Sequence, residues 1–321
     1  MKGKYKITVY NTRIRYELEI KRNITVIAGD SGSGKTTLYQ MIRRSNEESS
    51  SVKLQCDVPV FALVKNWEDA RRYFQDYENA IFIFDENTSY LKSEDFAREV
   101  KASSNYVVII TRAPLHMLPY SVEEIYQLDS TKGEGQSLVY TTMNNLYDTK
   151  ETGSVFSPDV VLVEDSNSGF EFFTAVARNH LKVESAGGRD NIARIVSNYD
   201  AGLRVLVIAD GAACGAEFGQ IHYAIKSRPS QGLIWCYESF EWFLLNAGIF
   251  KEGKITEILN APYNYIDSKD YFSWERFFTA LLCEVSKQNK LIYKKDSLNR
   301  RYLEEGIRGK IVCQIPKILD L

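Results

Sequence analysis

Residues 27–38, IAGDSGSGKTTL, limit what this chain can fold into more than any other stretch. They follow the apolar run NITVIA, which reads as a strand. They lead into Leu38, Met41 and Ile42, which share one face at helical spacing and predict a helix over 35–44. A strand that turns through a glycine loop directly into a helix is the first step of an α/β layer. The segment Gly29-Asp30-Ser31-Gly32-Ser33-Gly34-Lys35-Thr36 also fits GxxxxGK[ST] in full, in the setting where that pattern has a physical meaning.

Each residue type in the loop has a reason. Gly29, Gly32 and Gly34 let the backbone curl until its N–H groups converge on phosphate oxygens, a curl that a Cβ would block. The helix N-terminus adds partial positive charge. Lys35 reaches the terminal phosphates, and the Thr36 hydroxyl can join a Mg²⁺ shell. Gly29, Asp30, Ser31, Gly32, Ser33, Gly34, Lys35, Thr36 and Thr37 are the expected nucleotide-binding residues. Downstream, Asp85 and Glu86 end the apolar run AIFIF. Asp85 is placed to hold a Mg²⁺-bound water and Glu86 to polarise an attacking water. Thr111-Arg112 ends the next apolar run and is either a sensor of the γ-phosphate or structural.

Strands are expected over 5–10, 14–20, 24–28, 58–64, 80–86 and 106–111, with helical WEDARRYFQDYEN and SEDFAREVKAS between the later ones. This alternation predicts a parallel sheet covered on both faces. Turn-formers dominate 129–153 around a strand-like SLVYTT, so the domain boundary is expected near Thr152. Alternation then restarts, with strands at 159–164, 183–185, 204–209 and 232–237 and helices at 168–181, 189–199, 216–226 and 239–246. The division is therefore 1–152, 153–250 and a mostly helical 251–321. That tail carries the amphipathic WERFFTALLCEVSKQ and a basic KKDSLNRR, whose Lys294, Lys295, Arg300 and Arg301 suit either a phosphate backbone or a solvated face.

A chain of 321 residues with 44% apolar and 26% charged content suits two globular domains. The formal net charge of −2 gives no global pull toward nucleic acid or an anionic membrane. Five scattered cysteines without a CxxC pair fit a reducing cytoplasm better than a disulfide framework or zinc site. No apolar run approaches the ~20 residues of a membrane span. A cytoplasmic protein without a membrane partner is expected.

The elements GDSGSGKTT, IFIFDE and VIIT resemble those of additional-strand P-loop ATPases, the group of ABC-type, SMC-like and AAA-type engines. The resemblance implies ATP and Mg²⁺ as ligands, a P-loop NTPase sheet, and a site completed across subunits in a homo-oligomer. The chain departs from the ABC pattern in two places. No LSGGQ-like signature lies between the loop and Asp85, and His116 stands five residues beyond Thr111, not at the switch position.

The second half places Glu164-Asp165, Asp210 and Glu238 at strand ends, where one rim of a parallel sheet can gather them around Mg²⁺. The order VEDSNSGFEFF, SAGGRDNIARIV, VLVIADGAACG, YESFEWFLL resembles the topoisomerase–primase (TOPRIM) domain of overcoming-lysogenization-defect-type ATPase–nucleases. The resemblance implies a Rossmann-like domain, Glu164 as general acid or base, Glu164, Asp210 and Glu238 as metal ligands, and nucleic acid as partner. Ala212 stands where the second aspartate of DxD would fall, with Glu217 or Asp165 as substitutes. Three functions stay open: an ATPase gating a domain that acts on or binds nucleic acid, an ATP-dependent switch with an inactive TOPRIM-like scaffold, and an assembly or motor ATPase.

Overall fold

A computed structural model describes residues 1–63, 66–132, 137–147, 155–177, 181–250 and 253–321. The boundary expected at Thr152 lies outside the described residues. The chain forms two compact units, one of Met1–Tyr147 with Ala261–Ser273, the other of Asp148–Asn260 with Trp274–Leu321. The tail therefore does not form a third unit. Its 261–273 segment joins the first unit through backbone bonds such as Gly3 N to Tyr263 O (2.6 Å) and Ser268 N to Met1 O (2.9 Å). Among the described residues no helix is long and apolar enough to cross a membrane.

The first unit contains strands β1 (Tyr5–Tyr10), β2 (Ile14–Ile20) and β3 (Ile24–Ile27), helix α1 (Lys35–Ser45), strands β4 (Lys53–Gln55) and β5 (Val60–Ala62) and helix α2 (Trp67–Asp76). It continues with β6 (Ile81–Phe84), α3 (Glu94–Ala102), β7 (Tyr106–Ile110), β8 (Ile125–Lys132) and β9 (Val139–Asn145). They form one nine-stranded sheet in the order β4-β1-β2-β9-β8-β3-β7-β6-β5. From β8 to β5 all neighbours are parallel, and β7 stands between β3, which feeds the glycine loop, and β6, which ends in Asp85-Glu86.

The sheet as a whole is mixed, which corrects the expectation of a parallel one. β1 pairs antiparallel with β2 and β4, and β8 with β9. The cause is loop length: three residues separate β1 from β2, too few for a crossover, and Asn11 Oδ1 closes the turn by accepting from the Arg13 and Ile14 amides at 2.8 and 3.0 Å. β8 runs through Asp129-Ser130-Thr131-Lys132, which the turn-rich composition marks as loop. Its outer half is exposed and is held by its ladder to β9, not by burial.

In the second unit, β10 (Val160–Val163), α4 (Ser168–Val176), β11 (Lys182–Ser185), α5 (Arg189–Asn198), β12 (Val205–Asp210), α6 (Gly215–Lys226), β13 (Gly232–Tyr237) and α7 (Phe240–Asn246) alternate as expected. α4 stops at Val176, short of the 181 expected. The four strands are all parallel in the order β11-β10-β12-β13. Chain direction reverses between β10 and β12, so the switch-point crevice lies at their carboxyl ends. Helices α8 (Gly253–Asn260), α9 (Trp274–Ser286) and α10 (Glu305–Val312) complete the unit. Trp274, Phe278 and Leu282 form the buried stripe of α9 at four-residue spacing. Irregular chain from 287 to 299 separates α9 from the next turn, so the tail is less helical than its composition implies.

Entry into β12 is fixed by Arg228, a buried guanidinium just past α6. It donates to the carbonyls of Tyr199 (3.0 Å), Leu203 (2.9 Å) and Asp200. A lysine has the charge but not the fork. Arg228→Lys is expected to destabilise the second unit by about 2–3 kcal/mol in chemical denaturation, with the first unit unaffected.

Candidate functional site

The glycine loop leaves β3 at its carboxyl end. Gly29, Gly32 and Gly34 all have left-handed backbone, at φ 98°, 85° and 89°. At Gly34 the constraint is double, because a Cβ would also stand 2.8 Å from the Tyr16 hydroxyl. That hydroxyl, on the fully buried Tyr16 of β2, donates to Gly34 O at 3.0 Å and also bonds the Thr37 side chain. Within the loop the buried Lys35 donates to Gly29 O (2.8 Å), Asp30 O (2.6 Å) and Ser33 Oγ (2.9 Å). All three ammonium donors thus hold the loop to one shape. Burial and the Arg112 charge lower the Lys35 pKa, against the pull of Glu86 and Asp30.

The start of α1 faces this curl with no capping side chain and no acid in its first turn. Its orphan amides and dipole favour an anion. Thr36 and Thr37 are exposed there, and a Cβ at Gly32 would meet nothing within 4 Å. The loop is exposed at Gly32, Thr36 and Thr37, so its residues fit an anion such as a triphosphate.

The acidic pair stands where the sequence places it, just beyond β6. Asp85 accepts from Asn87 Nδ2 at 2.9 Å, and its charge reaches Tyr39 of α1. Glu86 is ion-paired at 3.8 Å with Arg112, which follows β7. Thr111 is buried; its amide bonds Ile27 O of β3 at 3.1 Å, and its hydroxyl accepts from the Ala113 amide at 3.0 Å. These bonds anchor Thr111, and with it Arg112, at the end of β7. A cavity of about 450 Å³ opens next to Glu86, with Thr88, Lys92 and Arg112 in its walls.

In the second unit Glu164 and Asp210 do meet. Glu164 Oε2 accepts from the Asp210 amide at 2.8 Å. Burial pushes the Glu164 carboxyl up to about 7, against the pull of that amide and of Arg189. Burial and the Glu164 charge hold Asp210 well above the usual carboxylate range, and Asp210 in turn acts on the buried Tyr237. The Glu238 carbonyl accepts from the Ala212 amide at 2.9 Å.

The two acids that were to replace the missing aspartate are engaged elsewhere. Asp165 accepts from the Gly169 and Phe170 amides at 3.2 and 2.7 Å and so caps α4, while the buried Glu217 ion-pairs with Arg189 at 3.2 Å. Among the described residues no group of three or more His, Cys, Asp or Glu side chains is arranged to hold a metal ion.

Sequence reasoning missed four groups that the fold brings to these sites: Tyr16 at the glycine loop, and Tyr237, Glu241 and Glu275 at the rim. Only strand alternation marked Tyr16, and no local pattern could join Glu275 to Asp210. The chain matches no protein-family profile and no characterised protein.

Two measurements bear on these sites. Gly34→Ala should destabilise the first unit by about 1–3 kcal/mol, from the left-handed backbone and the Tyr16 contact together. For Glu164 the folded pKa lies above its ordinary 4.5, so its stabilisation is complete below that pH and is lost as pH rises through about 7. In EDTA, the second unit should be less stable at about pH 8 than at about pH 5, by on the order of 3 kcal/mol. Glu164→Gln keeps the acceptor for the Asp210 amide and should flatten much of that slope.

Proposed function

We propose that the first unit binds ATP with Mg²⁺ and hydrolyses it, and that nucleotide state gates what the second unit does with nucleic acid. The observation that carries the reading is the loop between β3 and α1. Three left-handed glycines, an uncapped helix start and a lysine fixed by three loop acceptors meet there. Such a device suits an anion with several phosphate oxygens and little else. The strand β7 between β3 and β6 supports the additional-strand reading, and it sets Arg112 and Glu86 side by side.

In this reading the amides of 30–36 and Lys35 hold the phosphate chain. Thr36, and Asp85 through water, would hold Mg²⁺, which supplies charge neutralisation at the departing phosphate. Glu86 takes the proton of the attacking water. Arg112 balances Glu86 until phosphate charge draws it away, and a second copy of the chain completes the site.

A second reading concerns the other unit, which would bind nucleic acid or a partner without cutting it. Buried Ala212, the capping role of Asp165 and the Arg189–Glu217 pair favour it, because together they leave the rim short of ligands.

Lys35→Ala should weaken ATP binding by roughly 10- to 100-fold in calorimetry. Glu86→Gln should keep the affinity and lower kcat by about 10²–10⁴-fold; normal turnover in that variant would remove Glu86 from its role. Incubation with plasmid, linear DNA and RNA in Mg²⁺ or Mn²⁺, with and without ATP, separates the two readings. Cleavage lost in Glu164→Ala supports a nuclease, and no cleavage by either protein supports the switch.

A further inference from the structure

The carboxyl rim of the second unit carries more acid than sequence order reveals, together with Lys295 from the basic KKDSLNRR segment. Residues 293–298, between α9 and α10, are fastened along that rim at three points. Buried Tyr293 donates to Glu241 Oε1 at 2.9 Å, at the start of α7. The buried Ser168 hydroxyl, at the start of α4, bonds the carbonyls of Lys294 (2.9 Å) and Lys295 (3.0 Å). The Leu298 amide donates to Glu171 Oε2 at 3.0 Å. Since α4 and α7 each follow a parallel strand, their N-termini lie at its carboxyl edge, and the segment runs along that edge.

This strap delivers Lys295. Its ammonium bonds Glu275 Oε1 of α9 at 2.6 Å, with the side chain half exposed at the mouth of the rim. Burial would lower its proton affinity, but the bond and charge of Glu275, with Glu241 and Asp210 in electrostatic reach, raise it above the ordinary lysine value. Glu275 and Glu241 in turn act on Asp210, and Glu275 on Glu164. The carboxyl groups of Glu164, Asp165, Asp210, Glu241 and Glu275 therefore share one electrostatic site with the Lys295 ammonium, and the Arg189 guanidinium also acts on Glu164.

From this the geometry points to Lys295 as a built-in counter-ion that closes the rim of the second unit and takes the place of a divalent cation there. Gathered carboxylates need shared positive charge, and here a side chain provides it. The remaining donors of the rim are absent or engaged, since Ala212 has no donor, Asp165 caps α4 and Glu217 pairs with Arg189, so an ion could be held only by Glu164, Asp210, Glu241 and Glu275, the groups that Lys295 serves. The inference concerns the second unit alone and stands whether or not the first binds ATP.

Mn²⁺ titrated into the nucleotide-free, full-length protein, followed by the free-ion paramagnetic resonance signal, tests it. Wild type should bind no ion that depends on Glu164, and Thr36→Ala controls for the glycine loop. Lys295→Met removes the charge at similar size and should create a Mn²⁺ site roughly tenfold or more tighter than any in wild type. Adding Glu164→Gln should abolish that site, and Lys295→Arg should show none. A Glu164-dependent ion in wild type or in Lys295→Arg would overturn the assignment, as would a folded Lys295→Met that binds no more than wild type. Should Lys295→Met fail to fold, wild type and Lys295→Arg, each with and without Glu164→Gln, still decide the matter.

Discussion

A parallel strand must be left at its carboxyl end, and the chain must cross the sheet before it can enter the next one. Everything chemical in this protein depends on that constraint. Lys35 follows β3, Asp85 and Glu86 follow β6, Arg112 follows β7, Glu164 follows β10, and Asp210 closes β12. Because the strands share a direction, groups far apart in sequence arrive on one edge. The antiparallel part of the first sheet, β4-β1-β2-β9, carries no such row. Its contribution is support, above all the Tyr16 hydroxyl pressed against Gly34.

The two units use the same edge in opposite electrostatic ways. In the first, the uncapped amides at the start of α1 and Lys35 give positive potential to the glycine loop, and the acids Asp85 and Glu86 follow β6. Lys35 is bound to carbonyls and a hydroxyl and not to a carboxylate, so its charge is oriented without being neutralised. In the second, carboxyl groups face one another across β10 and β12. Burial and mutual repulsion favour their protonated forms, and Lys295 enters from the strap as a fixed cation. The first presents oriented positive charge, and the second gathers carboxyl groups beside a lysine.

Ala212 gains meaning from this contrast. As one missing carboxylate it is a local defect in a resemblance. Beside an Asp165 that caps a helix and a Glu217 held by Arg189, it belongs to a rim whose acids have other occupations.

What the sequence determined by itself is local. The glycine loop, the acids after β6, the strand–helix alternation of the second half and the absence of ABC-type signatures were all legible, because each is set by neighbours within a few residues. Tertiary structure alone decided the rest. The mixed sheet followed from a short hairpin and from a polar strand, β8, held by its ladder and not by apolar residues. The tail was divided between the units by backbone bonds to residues near Gly3 and by the buried stripe of α9. Tyr16 at Gly34 and Lys295 at Glu275 depend on contacts across long stretches of chain. Local periodicity reports which way a side chain faces, but only the folded chain can report what it meets.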